Sequence, residues 1–170
     1  MNEALKGLSK EKLMELLEIY SKNWVAMDGL WFQAAEKDYG MDVAMDHDCR
    51  AWDAFTKIEA RRLKDFLSLP ERAGLDGLDQ ALRYRIYANV TTSEIIRTEN
   101  SLTYRILDCR VQSARQRKGM PWHPCRRVGV IEYREFARVI DDRLSCQCLS
   151  CFPEITDQSC ACSWQFNLSV

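Results

Sequence analysis

The chain has 170 residues, 46% of them hydrophobic and 29% charged, with a formal net charge of −1. A chain of this length buries roughly 70% of its unfolded surface as one domain, so residues 1–170 are read as a single domain whose core needs neither disulfides nor a metal. The near-neutral balance argues against a general polyanion binder, and no run approaches the roughly 18 apolar residues of a membrane span, so neither nucleic acid nor a membrane is expected as a partner.

The opening MNEALKGLSKEKLMELLEIY mixes acids and lysines with its apolar residues and lacks the apolar core of a signal peptide. Cytoplasmic residence is the default expectation, and there the eight cysteines stay reduced.

Helix dominates the first part, residues 1–88. Leu13, Leu16, Leu17, Tyr20, Trp24, Met27, Trp31 and Ala34 recur at three- and four-residue steps, which predicts a helix from about Lys10 to Glu36 with one wide apolar stripe. Ser9 is its expected N-cap and Gly40 its stop, and Gly29 is a place to bend. A second helix is expected from about Asp42 to Leu67, ended by Leu69-Pro70, and a third from about Leu75 to Ala88. Residues 89–98 are β-branched and turn-free, and 102–107 alternate beyond the turn Glu99-Asn100-Ser101, which together predict a hairpin. Helical composition returns over 109–118 and again over 129–140, and 143–151 with 159–168 read as a second hairpin. Two hairpins joining into a four-stranded antiparallel sheet, with helices on one face, make an α+β fold.

Five cysteines fall between Cys146 and Cys162, in CQCLSC and CACSW. Strand alternation places Cys146 with Cys148 and Cys160 with Cys162. Whether both sets share a face depends on the register of the last hairpin, which a long loop leaves open. Cys148 and Cys151 have the C-x2-C spacing of a zinc half-site, with Cys109, Cys125, Cys160, Cys162 or His123 as further ligands. An iron–sulfur cluster asks for the same number of thiolates. The alternatives are redox or catalytic thiols, or small apolar residues packed in a core.

Between Arg110 and Arg127 there are six basic residues and no acid. Arg110, Gln112 and Arg115 lie on the helix that starts at Cys109, where arginine forks suit a carboxylate or phosphate; the competing reading is a solvated helix face. Asp28 interrupts an aromatic stretch beside Trp31 and Phe32, where an apolar setting raises a carboxyl pKa and suits it to bind a ligand or move a proton.

NWVAMDGLWFQAAEKDYG, DCRVQSARQRKG, the PC leading into GVIEYREFARVID, CLSC with Pro153, and CSWQF resemble a family of small cytosolic bacterial and archaeal proteins of unknown function. Some of its relatives are called L-2-amino-thiazoline-4-carboxylic acid hydrolase-like. The element order is more distantly similar to the 4-vinyl-reductase domain, which shares its fold with vesicle-tethering TRAPP subunits and heme-NO-binding-associated domains. The resemblance implies a pocket between helices and sheet, with Cys109, Cys125, Cys148, Cys151 and Cys162 matching the family pattern. Cys146 and Cys160 stand outside it.

Three functions follow as expectations. The first is a small-molecule- or metal-binding domain, with those five cysteines around one site and Arg110, Gln112, Arg115, Asp28 and Trp31 contacting the ligand. The second is a hydrolase of a small amide or thiazoline-like ring, using a metal-bound water or a cysteine. The third is a protein-interaction module with structural cysteines, for which a homodimer or an exposed apolar patch is the signature.

Overall fold

A computed structural model describes residues 2–169. Five α-helices and four strands follow one another as α1 (Lys10–Tyr39), α2 (Met41–Phe66), α3 (Gly74–Arg83), β1 (Thr92–Arg97), β2 (Ser101–Asp108), α4 (Arg110–Arg117), α5 (Arg126–Ile140), β3 (Leu144–Cys151) and β4 (Cys162–Leu168). The two hairpins meet through β2 and β4, giving one antiparallel sheet of order β1-β2-β4-β3. The expected α+β architecture is what the chain adopts. No helix is long and apolar enough to cross a membrane among the described residues.

Ser9 caps α1 by accepting a hydrogen bond from Lys12 N, and Gly40, at φ 84°, takes the left-handed conformation that lets α1 stop and α2 begin. Gly29 lies inside an unbroken helix. The predicted third helix is split, because Arg85 leaves α3 and is drawn into the interior, and residues Ile86–Asn89 form a separate 3-10 turn. There its Nε donates to Glu59 Oε2 at 2.9 Å and its Nη2 lies 2.7 Å from Glu132 Oε1. The guanidinium also sits 4.7 Å from the centre of the Phe136 ring. A buried cation needs this much compensation to be tolerated away from water.

The main core lies between the sheet and α3 and α5, where Leu102, Tyr104, Trp164 and Phe166 from the strands meet Leu78, Leu82, Phe136 and Ile140. A smaller aromatic cluster joins α1 to α2, with Trp24 stacked on Phe55 at 5.0 Å and edge-on to Trp52 at 5.7 Å. The rest of the apolar stripe predicted on α1 is mostly solvent-facing, with Leu16 half-buried. Ser21 is the one buried residue of that helix, and Trp31 is 73% exposed.

In the last hairpin Cys146 opposes Phe166, Cys148 opposes Trp164 and Cys151 opposes Cys162, with a bulge between Cys148 and Ser150. Residues three apart on a regular strand point to opposite faces; one extra residue in the bulge returns Cys151 to the face of Cys148. Cys146, Cys148, Cys151 and Cys162 therefore all pack on the helix-covered side. Cys160 precedes β4 in the loop, so it does not share a strand face with Cys162. That loop covers the outer side, where Ser150 Oγ accepts from Thr156 N and Asp157 N at 3.1 Å.

Candidate functional site

A cavity of about 410 Å3 opens between α1, α2, α4, α5 and the sheet. Phe32, Trp52, Val128 and Trp164 give it apolar walls, and Cys109, Cys125, Cys151 and Cys162 line it as well. Gly129 of α5 is what lets the sheet close on this side, since a Cβ there would lie 2.6 Å from the Trp164 ring.

The polar groups of the cavity converge from distant parts of the chain. Cys125 stands immediately before α5, after the WHP turn that carries His123. His123 Nδ1 lies 3.2 Å from Cys125 Sγ, and His123 Nε2 lies 3.6 Å from Asp48 Oδ2. These partners together favour the tautomer with hydrogen on Nε2, leaving Nδ1 to accept from the thiol. Gln112 fixes the turn, donating from Nε2 to His123 O at 2.7 Å and to Cys125 Sγ at 3.1 Å, and accepting from His123 N at 3.0 Å. The imidazole also packs on Phe32, with ring centres 4.5 Å apart.

Electrostatics follow burial. Desolvation, and then the nearby Asp48 charge, push the Asp28 carboxyl up to about 6, while His123 and the Tyr87 hydroxyl pull the other way. Burial lifts the Cys109 thiol to about 11 and holds Cys125 well above the ordinary thiol range. Cys162 is held well above that range by its hydrogen bond with Cys151 and by burial. Glu132 is raised by burial despite its Arg85 partner. The cavity is thus a place where thiols keep their protons and carboxylates are reluctant to lose theirs.

Of the residues expected to contact a ligand, Asp28 and Arg110 line this cavity. Arg115 also reaches it, but its guanidinium is committed, with Nη1 and Nη2 each 2.7 Å from a Glu36 carboxylate oxygen and Nε donating to Pro121 O at 2.5 Å. Gln112 is spent on the His123 turn. Trp31 lies outside the cavity, because its position on α1 faces solvent rather than α2 or α4.

The five cysteines expected as metal ligands are gathered in one region, four lining the cavity and Cys148 packed against the same core. Among the described residues, however, no three His, Cys, Asp or Glu side chains are placed so as to hold a metal ion. Two of these thiols come from helix starts and three from strands, which spreads them along a wall. The expectation of zinc or an iron–sulfur cluster gains no ligand set from this arrangement.

Asp48 and Glu132 are the acids that reading the sequence passed over. Their signal was present: Asp48 stands four residues before the buried Trp52, and Glu132 lies midway between the buried Val128 and Phe136, so both occupy apolar helix faces.

Residues 6–168 match the family described as "Family of unknown function (DUF6125)". The chain belongs to this family. No curated protein matches the DUF6125 chain. The family assignment therefore carries membership over nearly the whole domain, and the chemistry has to be argued from the cavity itself.

Proposed function

We propose that this domain binds a small organic molecule in the cysteine-lined cavity. The observation that carries the reading is a cavity of about 410 Å3 into which Asp28, His123 and Cys125 project between apolar walls. Ligand sites are typically about 300–1,000 Å3, mostly apolar, with a few convergent polar groups. Arg110, exposed at the rim, is suited to an anionic group of the ligand, and Asp28 to a hydrogen-bond donor or protonated nitrogen.

The test uses 1-anilinonaphthalene-8-sulfonate, an aromatic anion of suitable size, as a probe of the folded protein. Binding should be saturable and should be lost in Ala114→Phe, which fills the cavity from α4, yet persist in Trp31→Glu, which lies outside the cavity. Equal binding to Ala114→Phe would remove the reading.

A second reading is hydrolysis of a small amide or a cyclic relative, and it is favoured by the Cys125–His123–Asp48 alignment. His123 Nδ1 would take the thiol proton as Sγ attacks the carbonyl carbon, and would return it to the departing amine. Water, deprotonated by the same imidazole, would then cleave the thioester to release the acid. Because burial keeps the Cys125 thiol protonated, proton transfer accompanies attack instead of preceding it. The resemblance to thiazoline hydrolase-like proteins points the same way. Iodoacetamide labelling with peptide mapping checks this: His123→Ala should slow alkylation of Cys125 at least about tenfold at pH 7, given the 10²–10⁴-fold effects of a positioned base. An unchanged rate would sink it.

A further inference from the structure

One flank of α1 carries an apolar seam that, Trp24 apart, is left largely uncovered by the described residues. Leu17 is 60% exposed, Tyr20 56%, Met27 61% and Trp31 73%. Together with Leu13, Trp24 and Ala34 they follow a strict alternation of four and three residues, from Leu13 to Ala34. That is the spacing of a coiled-coil seam sustained over three heptads. Trp24, at the middle of the run, packs on Trp52, Phe55 and Tyr87, while Tyr20, Met27 and Trp31 on either side of it stay more than half exposed.

The contacts that hold α1 to the rest of the molecule begin at Ser21, which accepts from Asn89, and continue through Trp24, Phe32 and Glu36. The preceding turns carry Leu13, Met14, Leu17 and Tyr20 out beyond the core, all exposed. An isolated helical stretch this short is marginal in water, and helices normally owe their stability to a packed apolar face.

We propose that two copies of this chain associate through a two-fold contact along this seam. Weighting the exposed fractions of Leu13, Met14, Leu17, Tyr20, Met27 and Trp31 by ordinary side-chain areas gives on the order of 600 Å2 per copy. Stable interfaces start at about 600 Å2 from each partner, and the largest apolar patch on a typical monomer is about 300–600 Å2, so the seam sits where a two-fold contact becomes large enough to form. The seam asks for a helix carrying the same spacing, and a second copy supplies one by symmetry.

Two ion pairs of α1 lie off the seam spacing, Lys12 with Glu15 at 2.6 Å and Lys22 with Glu18 at 2.5 Å. Between residues 10 and 22, Lys10, Lys12 and Lys22 are balanced by Glu11, Glu15 and Glu18. A helix adapted to lie on an anionic lipid surface carries a basic polar face, which α1 lacks. The dimer contact is distinct from the cavity and stands or falls independently of ligand binding.

Sedimentation velocity at about 50 µM is the experiment, on the whole chain and on Leu17→Glu and Trp31→Glu made separately. The wild type should sediment at twice 19.8 kDa, and each variant as a monomer that keeps a cooperative thermal unfolding transition, since both side chains are more than half exposed in the isolated fold. Two variants at opposite ends of the seam keep the test meaningful if one of them misfolds. A monomeric wild type would overturn the proposal, as would a dimer that survives both substitutions. Wild-type monomer that co-sediments with phosphatidylcholine–phosphatidylglycerol vesicles would hand the seam to a lipid surface, and would equally overturn it.

Discussion

Replacing Asp28 by Asn isolates the cost of holding a carboxylate in the cavity. In the folded chain this carboxyl titrates at about 6, against an ordinary 3.8, chiefly because it is desolvated and close to Asp48. Between about pH 4 and pH 6 the unfolded chain has lost the proton and the folded chain still holds it, so stability falls as pH rises through that window. At about 1.4 kcal/mol per pH unit the two-unit displacement sets a ceiling of about 3 kcal/mol, and the solvent that still reaches Asp28 reduces this to about 1.5 kcal/mol. Asn is close in shape, can accept from the Tyr87 hydroxyl, and has no proton to lose. The two proteins should therefore be nearly equally stable at pH 4, and the variant should be more stable at pH 7, with a melting temperature higher by about 3–6 °C. Urea unfolding followed by tryptophan fluorescence at pH 4, 5, 6 and 7 measures both curves. Parallel curves would show that Asp28 is not titrating in a desolvated site, and an Asn variant less stable at pH 7 would refute the electrostatic argument outright.

Other substitutions probe the framework around the cavity. Arg85→Ala leaves Glu59 and Glu132 without their buried cation and should cost about 3–5 kcal/mol in urea melts; a loss below 1 kcal/mol would mean that solvent reaches the pair. Gly129→Ala drives a methyl against the Trp164 ring and should cost about 1–3 kcal/mol with an altered near-ultraviolet dichroism spectrum. An unperturbed spectrum would show that α5 and β4 are not in that close contact.

Much of the fold was legible because it is local. Periods of three to four residues marked the helices, β-branched alternation marked the hairpins, and Ser9 and Gly40 bounded α1 where they were expected to. What failed was information carried by distant partners. The third helix ends early because Arg85 is claimed by Glu59 and Glu132, residues 26 and 47 positions away. The α1 stripe looked like core because periodicity reports that a helix has an apolar face and not what covers it.

The site divides in the same way. Asp28 was visible as a carboxylate among aromatics and Arg110 as part of an acid-free run, and both line the cavity. Arg115 had the right chemistry but was claimed by Glu36, a partner 79 positions away. The sequence by itself determined which residues can carry chemistry here, the thiols, His123 and the Asp28 carboxyl among aromatics, because side-chain type is written locally. Only the tertiary structure decided that Cys125, His123 and Asp48 meet, and that a single bulged residue swings Cys151 onto the face of Cys148. Register and helix docking are set by long-range burial, and no spacing along the chain encodes them.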